Sequence, residues 1–163
     1  MAGEIWTDSV KASDLLAPLL GSIGVAACII FTTLGAAYGT AKSMVGIASM
    51  APRKPDMVMK SIVPAVMAGV LAIYGLVVGV IITQRMSPPG SYPLFRGFCH
   101  LAAGLGVGMS GLTSGWCIGV LGDFGARSSS QRPQLFMTSV LMTGFAMVLG
   151  MYGLIIALIL GVK

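Results

Sequence analysis

The sequence predicts an all-α membrane protein of four transmembrane helices, laid out as a tandem duplicated helical hairpin. Three observations carry that expectation. Charge is scarce: 10 Lys or Arg and 5 Asp or Glu among 163 residues, or 9%, against roughly 25% in a water-soluble domain. The few charges leave four long uncharged runs between them. The second half of the chain also repeats the first at a fixed offset. With 56% apolar residues and a mean hydropathy of +0.92, a soluble globular enzyme and a disordered tail are both excluded.

The uncharged runs extend from Asp14 to Lys42, from Lys60 to Arg85, from Arg96 to Asp123, and from Arg132 to Lys163. A helix rises about 1.5 Å per residue, so about 20 apolar residues cross the hydrocarbon core. Each run exceeds that length. A β-barrel would need alternating apolar and polar residues, which these runs lack. Proline and glycine mark the ends. Ala51-Pro52-Arg53-Lys54-Pro55-Asp56 separates the first two helices, Ser87-Pro88-Pro89-Gly90 the second and third, and Arg127 to Pro133 the last two. Proline lacks the N–H of the helix ladder and restrains its predecessor. The expected spans are 15–50, 56–86, 93–126 and 133–161, with connections of about 5 to 8 residues that force antiparallel neighbours. These helices are longer than the bilayer requires and are expected to extend into the cytosol.

No polar stretch is long enough to bury a core of its own, so residues 1–163 read as a single membrane domain. The opening Met-Ala-Gly-Glu-Ile-Trp-Thr-Asp is acidic, unlike a signal peptide, and the first helix is expected to be retained. The 1–2 and 3–4 connections with their flanks hold Lys42, Arg53, Lys54, Lys60, Arg127 and Arg132, against Lys11, Arg85, Arg96 and Lys163 on the other side. The positive-inside tendency then places both termini on the non-cytosolic side, which is the lumen if the membrane is that of an organelle. The net charge of +5 includes no basic run longer than Arg53-Lys54, which argues against a nucleic-acid partner.

Laying the second half of the chain over the first puts Pro55 on Pro133, Met59 on Met137, Ser61 on Ser139, and Tyr74-Gly75-Leu76 on Tyr152-Gly153-Leu154, all at one offset. Repeat one covers about 15–86 and repeat two about 93–161. An offset of two helices makes the repeats parallel, unlike the inverted repeats of many transporters. The third helix carries nine glycines, among them Gly111, Gly115 and Gly119, and the first carries Gly35, Gly39 and Ser43 at the same four-residue spacing. Small residues at that spacing let helices approach closely in lipid. Helices 2 and 4 are bulkier. A lone subunit has little use for glycine on just two helices, so the pattern predicts a ring with helices 1 and 3 inside and 2 and 4 outside, packed through Gly35, Gly39, Gly111, Gly115 and Gly119.

Segments LGAAYGTAKSMVGIASM (34–50), VMKSIVPAVMAGVLAIYGLVVGVII (58–82), HLAAGLGVGMSGL (100–112), VLGDFGARSSSQRPQLF (120–136) and VLGMYGLIIALIL (148–160) resemble the proteolipid subunits of the eukaryotic vacuolar-type proton ATPase. The resemblance implies a rotor ring turned by ATP hydrolysis in a separate soluble sector. It implies as partners other proteolipid subunits, a stator membrane subunit, a cytosolic stalk subunit and the lipid bilayer. It also implies the membrane of a vacuole or another acidic organelle, and a chain that is not itself an enzyme. Each such subunit normally carries one buried carboxylate in helix 4, in a pattern like Phe-Ala-Glu-Val-Leu-Gly-Leu-Tyr-Gly. Here the stretch reads Phe145-Ala146-Met147-Val148-Leu149-Gly150-Met151-Tyr152-Gly153. Met147 stands where the glutamate is expected, and the equivalent place in repeat one is Gly69. Tyr74 and Tyr152 flank these positions in the two repeats, and Phe145 and Ala146 complete the surroundings.

The charge map makes the same point without the family. The acids are Glu4, Asp8, Asp14, Asp56 and Asp123, and none lies inside an apolar run. A proton carrier must ionise within the membrane, and a thioether cannot. Taken with the resemblance, this implies a ring member that supplies structure and transmits torque without its own proton carrier. A pore-forming or structural tetraspan oligomer without ATPase partners is the alternative. Of the remaining polar residues, His100 reads as an interfacial side chain, Asp123 with Arg127 as a solvated ion pair or loop cap, and Lys42 as a snorkelling residue. Cys28, Cys99 and Cys117 are scattered, which predicts neither a disulfide framework nor a metal site. No phosphate-cradling loop ends in Gly-Lys-Ser/Thr, and no cofactor is expected.

Overall fold

The computed structural model describes residues 2–87 and 92–162, with side chains from residue 15 onward. Its regular elements are α1 (Ala2–Met50), a 3-10 turn (Pro55–Met57), α2 (Val58–Ser61), α3 (Val63–Arg85), α4 (Leu94–Gln131) and α5 (Leu135–Val162). Four stretches are long and apolar enough to cross a membrane: Leu15–Met50, Pro55–Arg85, Leu94–Gln131 and Leu135–Val162. The expected break at Pro88, Pro89 and Gly90 lies outside the described residues.

The ends differ from expectation in three places, each for a local reason. The helix of the first span begins at Ala2, not at residue 15, and runs through Pro18. Its 49 residues measure about 74 Å, more than twice the hydrocarbon thickness. The second span is not one helix over 56–86. It breaks at Ile62, because Pro64 has no N–H to give to the Lys60 carbonyl, and the ladder resumes with Val66 N–H on Ile62 O at 3.1 Å. The third helix does not stop at 126 but continues to Gln131. There the hydroxyls of Ser128, Ser129 and Ser130 donate back to the carbonyls of Gly125, Ala126 and Arg127 at 3.2, 2.9 and 2.6 Å. Arg127 Nε donates to Asp123 Oδ1 one turn earlier at 2.7 Å. The helix ends at Arg132, whose extended backbone (φ −136°, ψ 112°) is what a residue before proline adopts. Residues 132–134 alone then connect α4 to α5, fewer than the sequence suggested.

Glycine determines how the helices pack. α1 and α4 lie backbone to backbone along their length. A Cβ on Gly24 would stand 2.7 Å from His100 O, one on Gly35 2.6 Å from Gly111 O, one on Gly39 2.7 Å from Gly115 O, and one on Gly119 2.9 Å from Gly39 Cα. The two glycine ladders therefore face each other inside one chain. This corrects the expectation that a single subunit has little use for them: the seam they form holds the two parallel hairpins together. α3 and α5 cover the other side of that seam through the same interlock used twice. Thr32 of α1 fills the space beside Gly75 of α3, and Ser110 of α4 fills the space beside Gly153 of α5. Ser110 and Gly153 are the repeat-two counterparts of Thr32 and Gly75.

Bulky apolar side chains point outward from all four spans, not from the second and fourth alone. Ile30 and Leu34 on α1 and Met109 and Trp116 on α4 are exposed, as are Val66 and Ile73 on α3 and Leu141 and Leu149 on α5. The fold thus presents two apolar faces, one on either side of the glycine seam.

Candidate functional site

Met147 lies near the middle of α5, twelve residues beyond Leu135. It is half-buried and packs against a small cluster in which Ala68 and Leu71 of α3, Ile118 of α4 and Ala146 of α5 are buried. Tyr74 and Leu121 pack on the same cluster. The cluster closes because α5 is thinned beside it: a Cβ on Gly150 would already be 2.9 Å from Leu71 Cδ2. An unbranched thioether suits such a site, since its rotatable bonds let it fill an irregular gap.

Ser114 Oγ of α4 donates to Ala146 O at 2.6 Å, so the carbonyl preceding Met147 has a second donor and α5 is pinned to α4 there. The expected surroundings are only partly brought together. Ala146 and Tyr74 join the cluster around Met147. Phe145 and Tyr152, 65% and 58% exposed, point outward instead. Position 145 lies about 200° around the helix from position 147, which puts its side chain on the opposite face. Gly69 has no neighbour within 4 Å of where a Cβ would stand, so repeat one offers open space where repeat two places a side chain.

The carboxylates with described side chains lie elsewhere. Asp56 is exposed in the 3-10 turn. Asp123 is only 15% exposed; it accepts from Arg127 Nε at 2.7 Å and pairs with Lys42 Nζ at 3.6 Å. This corrects two readings. Asp123 forms the expected ion pair with Arg127, but within α4 and largely buried rather than as a solvated loop cap, and it also ties α4 to α1; Lys42 does more than snorkel, because it completes that bridge.

His100 is 1% exposed, enclosed by its own chain near the start of α4, and its Nδ1 is hydrogen-bonded to the hydroxyl of Tyr92, itself 3% exposed. Burial pushes the Tyr92 phenol up, with Arg96 acting the other way. Cys28 is buried with its thiol on Gly75 O at 3.0 Å, Cys99 is half-buried and Cys117 exposed. The sequence reading missed Ser114 and Tyr92. Ser114 had a usable signal, since its partner one repeat earlier is Ala36 and the hydroxyl breaks the repeat. Tyr92 had none.

Parallel hairpins sealed by a glycine seam, with a half-buried thioether packed at the middle of the last span, define a duplicated four-helix membrane protein. The family model for the C subunit of ATP synthase matches residues 23–82 and again 101–160, two stretches in the register of the internal repeat, and the chain belongs to that family. It is 52% identical to subunit c' of the V-type proton ATPase of Neurospora crassa over 98% of this chain and 97% of that protein. It is 48% identical to the V-type proton ATPase 16 kDa proteolipid of Nephrops norvegicus over 95% and 98%. It is 53% identical to the corresponding V-type proton ATPase chain of Candida tropicalis over 88% and 89%.

Proposed function

We propose that this chain is a rotor-ring subunit of the membrane sector of a vacuolar-type proton ATPase, and that it fills a place in the ring and passes on torque without itself carrying a proton. The resemblance along the whole length to V-type proteolipids supports the first part. The second part rests on one observation: the half-buried mid-helix position of α5 holds Met147, which cannot ionise, while the described carboxylates lie in a turn or in an ion pair. In the ring, α1 and α4 face inward and α3 and α5 outward, where the stator membrane subunit passes. The two apolar faces of the subunit suit lipid on both sides of such a wall. The connections at 51–54 and 132–134 face the cytosol and a stalk subunit, both termini are lumenal, and the membrane is that of a vacuole or another acidic organelle. ATP is hydrolysed by other subunits.

Dicyclohexylcarbodiimide, which modifies a buried protonated carboxyl, tests the proton assignment. The unaltered subunit should resist labelling in the membrane. Met147→Glu should be labelled, because burial raises a carboxyl pKa and keeps it neutral against hydrocarbon. A ring built wholly from that variant should pump. Labelling of the unaltered chain would show that another residue carries the proton. Copurification of this chain with copies of itself and no ATPase subunit would favour a structural tetraspan instead.

A further inference from the structure

A pocket of about 780 Å³ opens where the 51–54 connection and the start of the second span meet the first turn of α5. Arg53, Lys54 and Lys60 line it, with Asp56 as its one carboxylate, and Phe136 and Met137 form part of its apolar wall. The ion pairs among the described residues are those of Asp123 with Lys42 and Arg127, so Asp56 forms no direct pair with the pocket cations, which outnumber it three to one. The pocket sits where the polar connection gives way to membrane helix. Deeper along the two outer helices the exposed side chains are apolar, Val66 at 61% and Leu141 at 63%. The corresponding positions of repeat two are Gln131, Arg132 and Thr138, so the cation cluster is not an automatic product of the duplication.

We infer that this pocket binds the headgroup of an anionic glycerophospholipid from the leaflet on the side of the 51–54 connection. The phosphate meets Arg53, Lys54 and Lys60, and the acyl chains run along the apolar faces of α3 and α5. Two features select a lipid over a soluble anion. The cations stand at the polar ends of two membrane-crossing spans, and basic pockets between such helices take phospholipid headgroups. The wall beside them is apolar and leads into the hydrocarbon rather than into water.

The full-length chain can be reconstituted in nanodiscs of phosphatidylcholine with phosphatidylserine or a phosphatidylinositol phosphate. The lipid retained per subunit on gentle extraction is then measured by native mass spectrometry. Anionic lipid should be retained above its bulk ratio. The combined variant Arg53→Gln, Lys54→Gln, Lys60→Gln should lose roughly a hundredfold in affinity, about fivefold per cation. Arg132→Gln, outside the pocket, should retain the lipid as the parent does. If the triple variant does not assemble, Lys60→Gln alone should show the fivefold loss, and high salt should strip the lipid from the unaltered chain. Retention at the bulk ratio, or equal retention by the triple variant, would overturn the assignment. So would displacement of the lipid by inorganic phosphate or a soluble inositol phosphate at comparable concentration, because the apolar wall would then contribute nothing.

Discussion

Replacing Gly35 by Ala should push α1 and α4 apart, whereas the same replacement at Gly106 should not. The added methyl on Gly35 would stand 2.6 Å from Gly111 O and 2.7 Å from Leu112 Cα, about 0.8 Å short of the 3.4 Å at which ordinary contact begins. Both obstacles are backbone, so no side chain can rotate away and the helices themselves must yield. At Gly106 the methyl would meet nothing within 4 Å. Both variants gain the same helix preference of Ala over Gly, about 1 kcal/mol. The difference between them therefore isolates overpacking, and it should be about 1–3 kcal/mol against Gly35→Ala. The assay is unfolding of the purified chain from mild detergent by increasing dodecyl sulfate, in a Trp6→Phe background. Trp116 then reports the seam directly, because its ring stacks on Tyr38 across α1 and α4 with centroids 4.6 Å apart. Gly35→Ala should unfold earlier and shift Trp116 emission before the main transition. Equal stability of the two variants to within about 0.5 kcal/mol, with unchanged emission, would refute the backbone seam.

Other consequences are smaller. Ser114→Ala removes the donor to Ala146 O and should cost about 1 kcal/mol in the same titration, with faster amide exchange in the middle of α5. Asp123→Asn and Lys42→Gln should be coupled by about 0.5 kcal/mol in a double-mutant cycle, since their contact joins α1 to α4; additive effects would show that the ion pair contributes nothing. A membrane-permeant maleimide should label exposed Cys117 much faster than buried Cys28, whose thiol is held by Gly75 O. Comparable rates would mean that α3 does not cover Cys28.

How much of this was legible in the sequence depends on which physical scale each feature lives on. The four spans follow from charge distribution alone, because each buried charge costs enough to exclude it from a stretch long enough to cross the hydrocarbon. The duplication follows from identity at a fixed offset, and the absence of a carboxylate at position 147 can be read directly. Helix ends were less legible. The expected spans ran through both Pro18 and Pro64 and gave Arg127 to Pro133 to a connection, yet Pro18 is carried within α1, Pro64 breaks the second span, and Ser128 to Ser130 bond to their own helix and prolong it. Propensity alone cannot separate these outcomes, since each depends on where the freed carbonyl or hydroxyl finds a partner.

The facing of the helices was decided only in three dimensions. Glycine ladders announce close approach without naming the partner, and here the partner is the other ladder of the same chain. Tyr74 joins the cluster at Met147 while Tyr152, its counterpart in repeat two, points outward. Lys42 reaches Asp123, Ser114 reaches Ala146, and Tyr92 reaches His100. Composition and local spacing establish that a segment is a membrane helix, because those are properties of the segment and its solvent. The rotation of each helix about its axis and its offset along its neighbour depend on packing over the whole seam, and no segment carries that information by itself.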